Sequence, residues 1–241
     1  MEAGVRQRLL TLNRDFYRDF GRAYAEKRGF LQPGVTRLLA RLPRHARVLD
    51  AGCGHGRVLE TLREQGFQGT YIGVDASPVL LDEARRRARQ VAFSVHLAQR
   101  DLAHSDWDRD LPEVDVVLCF AVLHHLPGGE LRLRVLRQMH RLLVPQGQLW
   151  LSVWNLLRSP RLKARVQPWE RLGVHPHQVD PGDLLVDWRH GGYGLRYIHQ
   201  FTLPELEALL ADAGFHVRES FLSDGEGGRL GIYVVGEKAA S

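Results

Sequence analysis

The stretch Val48-Leu-Asp-Ala-Gly-Cys-Gly-His-Gly-Arg57 constrains this chain more than any other. Arg47–Asp50 is an apolar run of strand length ending in an acidic residue. Gly52, Gly54 and Gly56 then allow a turn in which backbone can approach a ligand closely. A helix starting at Arg57 would offer free N–H groups and the positive end of its dipole to that ligand. Such a strand–turn–helix is one unit of an α/β layer. Taken alone, it suits a dinucleotide as well as other nucleotide-like ligands.

The rest of the chain repeats the unit. Predicted strands at Thr70–Val74 (closed by Asp75), Val95–Gln99, Val114–Phe120 and Gln148–Trp154 alternate with helices from Arg57, from Pro78 and over Glu130–Leu143. That alternation implies a mostly parallel sheet built through right-handed crossovers. Residues 5–28 place Leu9, Leu12, Phe16, Phe20 and Tyr24 at helical spacing, and Val35–Leu42 reads as a short second helix. Pro145-Gln146-Gly147 reads as a turn. Residues 155–200 show little periodicity and are expected to form a functional insertion. Thr202–Ala213 follows as a helix that Thr202 and Glu205 can cap reciprocally. Phe215–Leu222 and Gly231–Lys238 are expected to close the sheet as an antiparallel edge hairpin. The chain is thus expected to be one domain. Residues 1–45 would be an N-terminal helical segment, 46–154 a cofactor-binding core, 155–200 a substrate-side insertion, and 201–241 a C-terminal helix and hairpin.

Three carboxylates narrow the ligand. Asp50 stands where it can face a cation, which suits a sulfonium with an amino-acid tail better than a pyrophosphate. Asp75 ends the second strand, where it can hold ribose hydroxyls. Asp101 follows the third strand and can accept from an exocyclic amine. The segments VLDAGCGHG, YIGVDAS, QRDLAH and VDVVLCFAVLHHL, in this order and spacing, resemble the signature set of class I S-adenosylmethionine methyltransferases. The resemblance covers roughly residues 45–155. It implies a Rossmann-like fold with a central seven-stranded sheet flanked by helices, and S-adenosylmethionine as cofactor. It also implies that Asp50, Gly52, Cys53, Gly54, Gly56 and Arg57 frame the methionine part. Asp75 and Ala76 would hold the ribose, and Asp101 and Leu102 the adenine. Phe120 and Ala121 would line the pocket near the sulfonium.

The C-terminal third carries a narrower resemblance. VWN at Val153–Asn155, GDLLVDW at Gly182–Trp188 and LRYIHQFTLPELEALLADAGF at Leu195–Phe215 are similar to the tRNA methyltransferases that esterify 5-carboxymethyluridine at the wobble position. That family includes the module fused to an AlkB-like domain in animals. The Phe-Tyr…Phe…Tyr-Ala…Lys-Arg…Gln-Pro stretch near the N-terminus also resembles that family's entry helix, which implies Arg28. The likeness as a whole implies His124, His125, Arg196, Tyr197 and His199 as acceptor-side residues, a tRNA partner and a small zinc-binding activating subunit. Asp187 and Ile198 depart from the family pattern, where a proline and an aromatic stand, and the stretch between Trp188 and Arg196 is much shorter. Tyr197 and Trp188 are left as the base platforms. An arginine near a carboxylate acceptor has a physical reason, since guanidinium matches carboxylate in a two-pronged hydrogen bond.

Composition decides little of this, but it bounds the partners. Of the 33 basic residues all but Lys27, Lys163 and Lys238 are arginine, and the formal net charge is +5. Residues 1–45 hold ten basic residues against four acidic ones, and Arg158, Arg161, Lys163 and Arg165 form a second basic stretch. Both fit a polyanion. No apolar run is long enough to span a membrane, and charges interrupt the N-terminal apolar runs, so a cytoplasmic protein without a membrane partner is expected. Two cysteines, Cys53 and Cys119, make neither a disulfide framework nor a zinc knuckle. His175 and His177 lack established metal-ligand spacing, so no metal is expected. The alternative acceptor is a small molecule methylated on oxygen or nitrogen, with residues 155–200 as a lid.

Overall fold

The computed structural model describes residues 1–27 and 30–240. A seven-stranded sheet runs in the order β3-β2-β1-β4-β5-β10-β9. Its strands are β1 (Arg47–Ala51), β2 (Thr70–Asp75), β3 (Ser94–Gln99), β4 (Val114–Phe120), β5 (Leu143–Trp154), β9 (Phe215–Ser223) and β10 (Gly231–Lys238). All neighbours pair in parallel except β10, which is antiparallel to both β5 and β9. This is the Rossmann-like arrangement with an antiparallel edge hairpin. The expected turn at Pro145–Gly147 lies inside the longer β5 as a kink, with Gln146 at a φ of +63°.

Helices cover both faces. Helices α2 (Pro33–Leu39), α3 (Arg57–Glu64) and α4 (Pro78–Ala88) pack Leu38, Leu59 and Leu81 against Val48, Tyr71 and Leu118. On the other face α5 (Gly129–Leu142) and α7 (Leu203–Asp212) pack Val135, Met139, Leu206 and Leu210 against Leu49, Val117 and Leu151. Strand residues one apart thus serve opposite cores, as the two-residue side-chain period requires. Thr202 and Glu205 form the reciprocal cap of α7.

Residues 155–200 are more ordered than their sequence suggests. They hold the short helix α6 (Pro160–Lys163) and an antiparallel sheet of β6 (Val166–Gln167), β7 (Asp183–Trp188) and β8 (Gly194–His199). One face of the β7–β8 hairpin buries Leu185 and Tyr197 against Val5 and Leu9 of α1 (Ala3–Lys27). The other buries Val186 and Ile198 against Leu156. With both faces covered, the strands lack the polar–apolar alternation by which strands are read.

Candidate active site

The sheet reverses direction of growth at β1, which has β2 on one side and β4 on the other. The crevice outside the carboxyl ends of these strands is where open α/β sheets bind ligands. Here the glycine turn closes with Gly52 and Gly54 at φ of +89° and +54°. A Cβ on Gly52 would stand 2.3 Å from a Val122 methyl, whereas one on Gly54 would meet nothing within 4 Å. Gly52 therefore answers to packing, and the space above Gly54 is open to a ligand. Gly56 caps α3 and would press a Cβ against Ala84, away from that space.

Two cavities flank the turn. The larger, about 840 Å³, lies outside β2 and β3 and includes Asp75, Ala76, Asp101 and Leu102. Its Asp75 carboxylate accepts from the backbone N–H of Gly54 and of Ser77, both at 2.8 Å. Burial pushes the Asp75 carboxyl above its usual range, and those two bonds oppose the shift. Helix α1 forms the outer wall through Leu10, Arg14 and Tyr17. Arg14 Nε donates to Asp101 Oδ2 at 2.7 Å. His125 lines this cavity too, with Nδ1 3.3 Å from the Tyr197 carbonyl and Nε2 2.9 Å from the Tyr17 hydroxyl. Because a carbonyl only accepts, Nδ1 is the donor in that pair, and Nε2 is held by the Tyr17 hydroxyl.

The smaller cavity, about 450 Å³, lies between the ends of β1, β4 and β5 and the face of the β7–β8 hairpin. Asp50, Cys53, His55 and Arg57 line its inner end, and Trp154, Trp188, Arg161, Arg165 and Arg196 its outer end. Asp50 is 3% exposed and accepts from the Tyr71 hydroxyl at 2.6 Å. Burial lifts its carboxyl to about 7, the Tyr71 bond acting against the rise and Asp75 adding to it. The same burial pushes the Cys53 thiol well up, which leaves it a small inert side chain. Arg196 is 7% exposed. Its guanidinium carbon sits 4.5 Å from the Trp154 ring centre, 5.4 Å from Trp188 and 5.2 Å from Phe16. The two cavities share Tyr24, Gly52, Gly54, Phe120 and Ala121. Ala121 adopts a φ of +57°, unusual for a residue with a Cβ, and its N–H is fixed by the Ser152 carbonyl at 2.9 Å.

The acceptor-side residues expected from sequence do not gather in one place. Arg196 faces the smaller cavity. Tyr197 and His199 lie on the opposite face of β8: Tyr197 packs with Val5 and Leu9, and both donate to buried Asp183, at 2.6 and 2.7 Å. His199 also reaches Glu205 at 2.7 Å. The period of two along a strand sends positions 196 and 198 one way and 197 and 199 the other. Tyr197 is therefore no base platform, while Trp188 does line the cavity. His124 lines neither cavity, and its ring lies 4.6 Å from that of Trp154. Arg28 lies outside the described residues. Trp154, Tyr24 and Tyr71 were not expected as site residues, although VWN, the apolar stripe of residues 5–28 and YIGVDAS contain them. Trp154 ends a strand whose apolar run accounts for it without a site, and nothing local marks the other two.

No helix among the described residues is long and apolar enough to cross a membrane, and they contain no cluster of three or more His, Cys, Asp or Glu suited to a metal.

A family model described as a methyltransferase domain matches residues 24–220. A ubiquinone biosynthesis O-methyltransferase of Pseudomonas paraeruginosa (strain DSM 24068 / PA7) is 33% identical over 115 residues, 47% of this chain and 46% of that protein. The chain thus spans about half the length of such curated relatives. A protein of Encephalitozoon cuniculi (strain GB-M1) with a provisional methyltransferase name is 30% identical over 178 residues, 72% of each chain. Among solved structures, the 1,6-didemethyltoxoflavin-N1-methyltransferase of Burkholderia thailandensis, with its namesake ligand and S-adenosylhomocysteine bound, superposes with a TM-score of 0.67 at 23% identity. The match covers 99% of this chain and 92% of that one.

Proposed function

The chain belongs to the methyltransferase domain family, and from that premise we propose that it methylates an ionised carboxylate of a flat small-molecule acceptor, using S-adenosylmethionine. The fit of the cofactor rests on the open space above Gly54 and on the donor set around it. Asp75 and Asp101 offer acceptors to hydroxyls and to an amine, and Asp50 and Arg57 offer opposite charges to an ammonium and a carboxylate. S-adenosylmethionine supplies a methyl group already activated as a sulfonium. What remains for the protein is to align the acceptor and keep water out.

The single observation carrying the acceptor reading is Arg196, buried among aromatic rings and facing the cavity that meets the cofactor cleft at Phe120 and Ala121. A planar guanidinium there binds an anion in two-pronged fashion, and Trp154 and Trp188 flank a flat body. An acceptor that arrives ionised needs no base, and a carboxylate is ionised near neutral pH. The smaller cavity, about 450 Å³, would take the cofactor's amino-acid end beside Asp50 and Arg57 and a small acceptor beside Arg196. The names of the ubiquinone and toxoflavin relatives point to small molecules as well.

A second reading keeps the carboxylate but places it on a tRNA wobble carboxymethyluridine, with a zinc-binding subunit as partner. It is favoured by Arg158, Arg161, Lys163 and Arg165, for which the described residues give no carboxylate partner, with Arg161 and Arg165 lining the cavity itself. The exposed arginines of α4, by contrast, pair with neighbouring acids, Arg85 with Asp82 and Arg86 with Glu83. The experiment is incubation with methyl-labelled cofactor and either a small-acid extract or total tRNA. Label in the small-acid fraction supports the first reading, label in tRNA replaces it with the second, and label in neither contradicts both.

A further inference from the structure

Asp50 and Gly73 face each other in the parallel pairing of β1 with β2, and Val48 faces Tyr71 two residues earlier. Side chains two apart share a face of the sheet, so Tyr71 can reach Asp50 only by leaning along its strand over position 73. Position 73 is glycine, and a Cβ there would fall 2.7 Å from Leu97 Cδ2, 2.9 Å from Tyr71 Cε1 and 3.0 Å from Cys53 Sγ. The missing side chain lets the Tyr71 hydroxyl cross to Asp50 Oδ2 at 2.6 Å. Tyr71 is fully buried, and Asp50 lies at the cavity edge. This tyrosine–glycine–aspartate arrangement spans two strands and lies outside the glycine turn itself.

We propose that Tyr71 is a positioning residue that sets the charge state of Asp50, so that binding of the cofactor's ammonium group is coupled to loss of a proton from Asp50. The inference rests on the cofactor reading above. In the cofactor-free protein burial holds the Asp50 carboxyl at about 7, so near neutral pH a substantial fraction is protonated. An ammonium group takes only the ionised form as its ion partner, so the carboxyl proton leaves to solvent as the cofactor binds. The Tyr71 hydroxyl donates to that ionised form and favours it. Burial and Asp50 push the Tyr71 hydroxyl well above its usual range, so it stays a donor throughout. The other titratable and charged groups around Asp50 are Asp75 at the end of β2, Cys53 and His55 in the turn, Cys119 on β4 and Arg57 at the start of α3. Asp75 adds a like charge, and burial keeps both thiols neutral.

The test is calorimetric titration with S-adenosylmethionine from about pH 5.5 to 8.5, in buffers of different protonation enthalpy, on the native protein, Tyr71→Phe and Gly73→Ala. Tyr71→Phe keeps the buried ring and removes only the donor. The native protein should bind more tightly as pH rises towards about 7, releasing a proton there, and more weakly again above about 8 as the cofactor's own ammonium titrates. Tyr71→Phe should move the acid-side midpoint up by about one unit, so that affinity at neutral pH falls about fivefold while the two profiles converge towards the alkaline end. Gly73→Ala should shift it in the same direction with the hydroxyl still present. The cofactor's own amine titrates alike in all three titrations, so the difference between profiles is the readout. A Tyr71→Phe profile that coincides with the native one, or is displaced equally at every pH, overturns the inference. Absence of any binding by the native protein overturns the cofactor reading instead.

Discussion

Arg196 and Trp154 stack across the mouth of the smaller cavity, the guanidinium carbon 4.5 Å from the indole ring centre. One comes from β8 of the small sheet and the other from the end of β5 of the large one. The smaller cavity is thus a joint between two sheets, and the Arg196 charge sits on that joint.

Arg196→Ala should raise the KM for a carboxylate acceptor by about 10- to 100-fold, the worth of a hydrogen-bonded charge pair. Affinity for S-adenosylmethionine should stay within about twofold. Arg196→Lys should recover little, because an ammonium neither forks nor stacks as guanidinium does. Steady-state kinetics with calorimetry on the same preparations checks both parts.

Asp75→Ala should act on the cofactor side. It removes the acceptor for the Gly54 and Ser77 N–H groups and for a ribose hydroxyl. We expect cofactor affinity to fall by about 10-fold or more, measured by calorimetry, with little change in acceptor KM once cofactor is saturating.

His124 and His125 should separate. His125 lines the larger cavity and accepts from Tyr17, so His125→Ala should weaken cofactor binding by several-fold. His124 is wholly buried against Trp154, so His124→Ala should lower thermal stability first, by several degrees for a loss of about 2 kcal/mol. Thermal melts with and without cofactor distinguish the two.

Tyr197→Phe should cost about 1 kcal/mol of stability through the lost bonds to Asp183 and Arg132, while acceptor KM stays within about twofold. Asp183→Ala strands both Tyr197 and His199 in a buried site and should cost more, about 2 to 4 kcal/mol, read by denaturant unfolding.

The glycine turn and the carboxylates around it were legible because their parts are local. A strand, three glycines and a helix start lie within ten residues; Asp75 closes the second strand and Asp101 stands two residues beyond the third. The placing of the candidate acceptor residues depends on which way β8 faces. Arg196, Tyr197 and His199 form one run in sequence, yet the alternation that would have parted them is hidden because both faces of β8 are covered. Adjacent His124 and His125 pose the same problem in a single turn, and their directions follow from Trp154 and Tyr17, 30 and 108 residues away. The Tyr71–Asp50 bond crosses two strands, and its only local trace is a glycine at position 73.

The most direct test is the stability of the methylated product to mild alkali. A methyl ester of a carboxylate hydrolyses and releases its label as volatile methanol, whereas a methyl on nitrogen, or in an ether, stays in place. With methyl-labelled cofactor and a mixture of small organic acids, phenols and amines as acceptors, the structure predicts label that is alkali-labile and lost in Arg196→Ala. Label that survives alkali, transferred as well by Arg196→Ala as by the native protein, would contradict it.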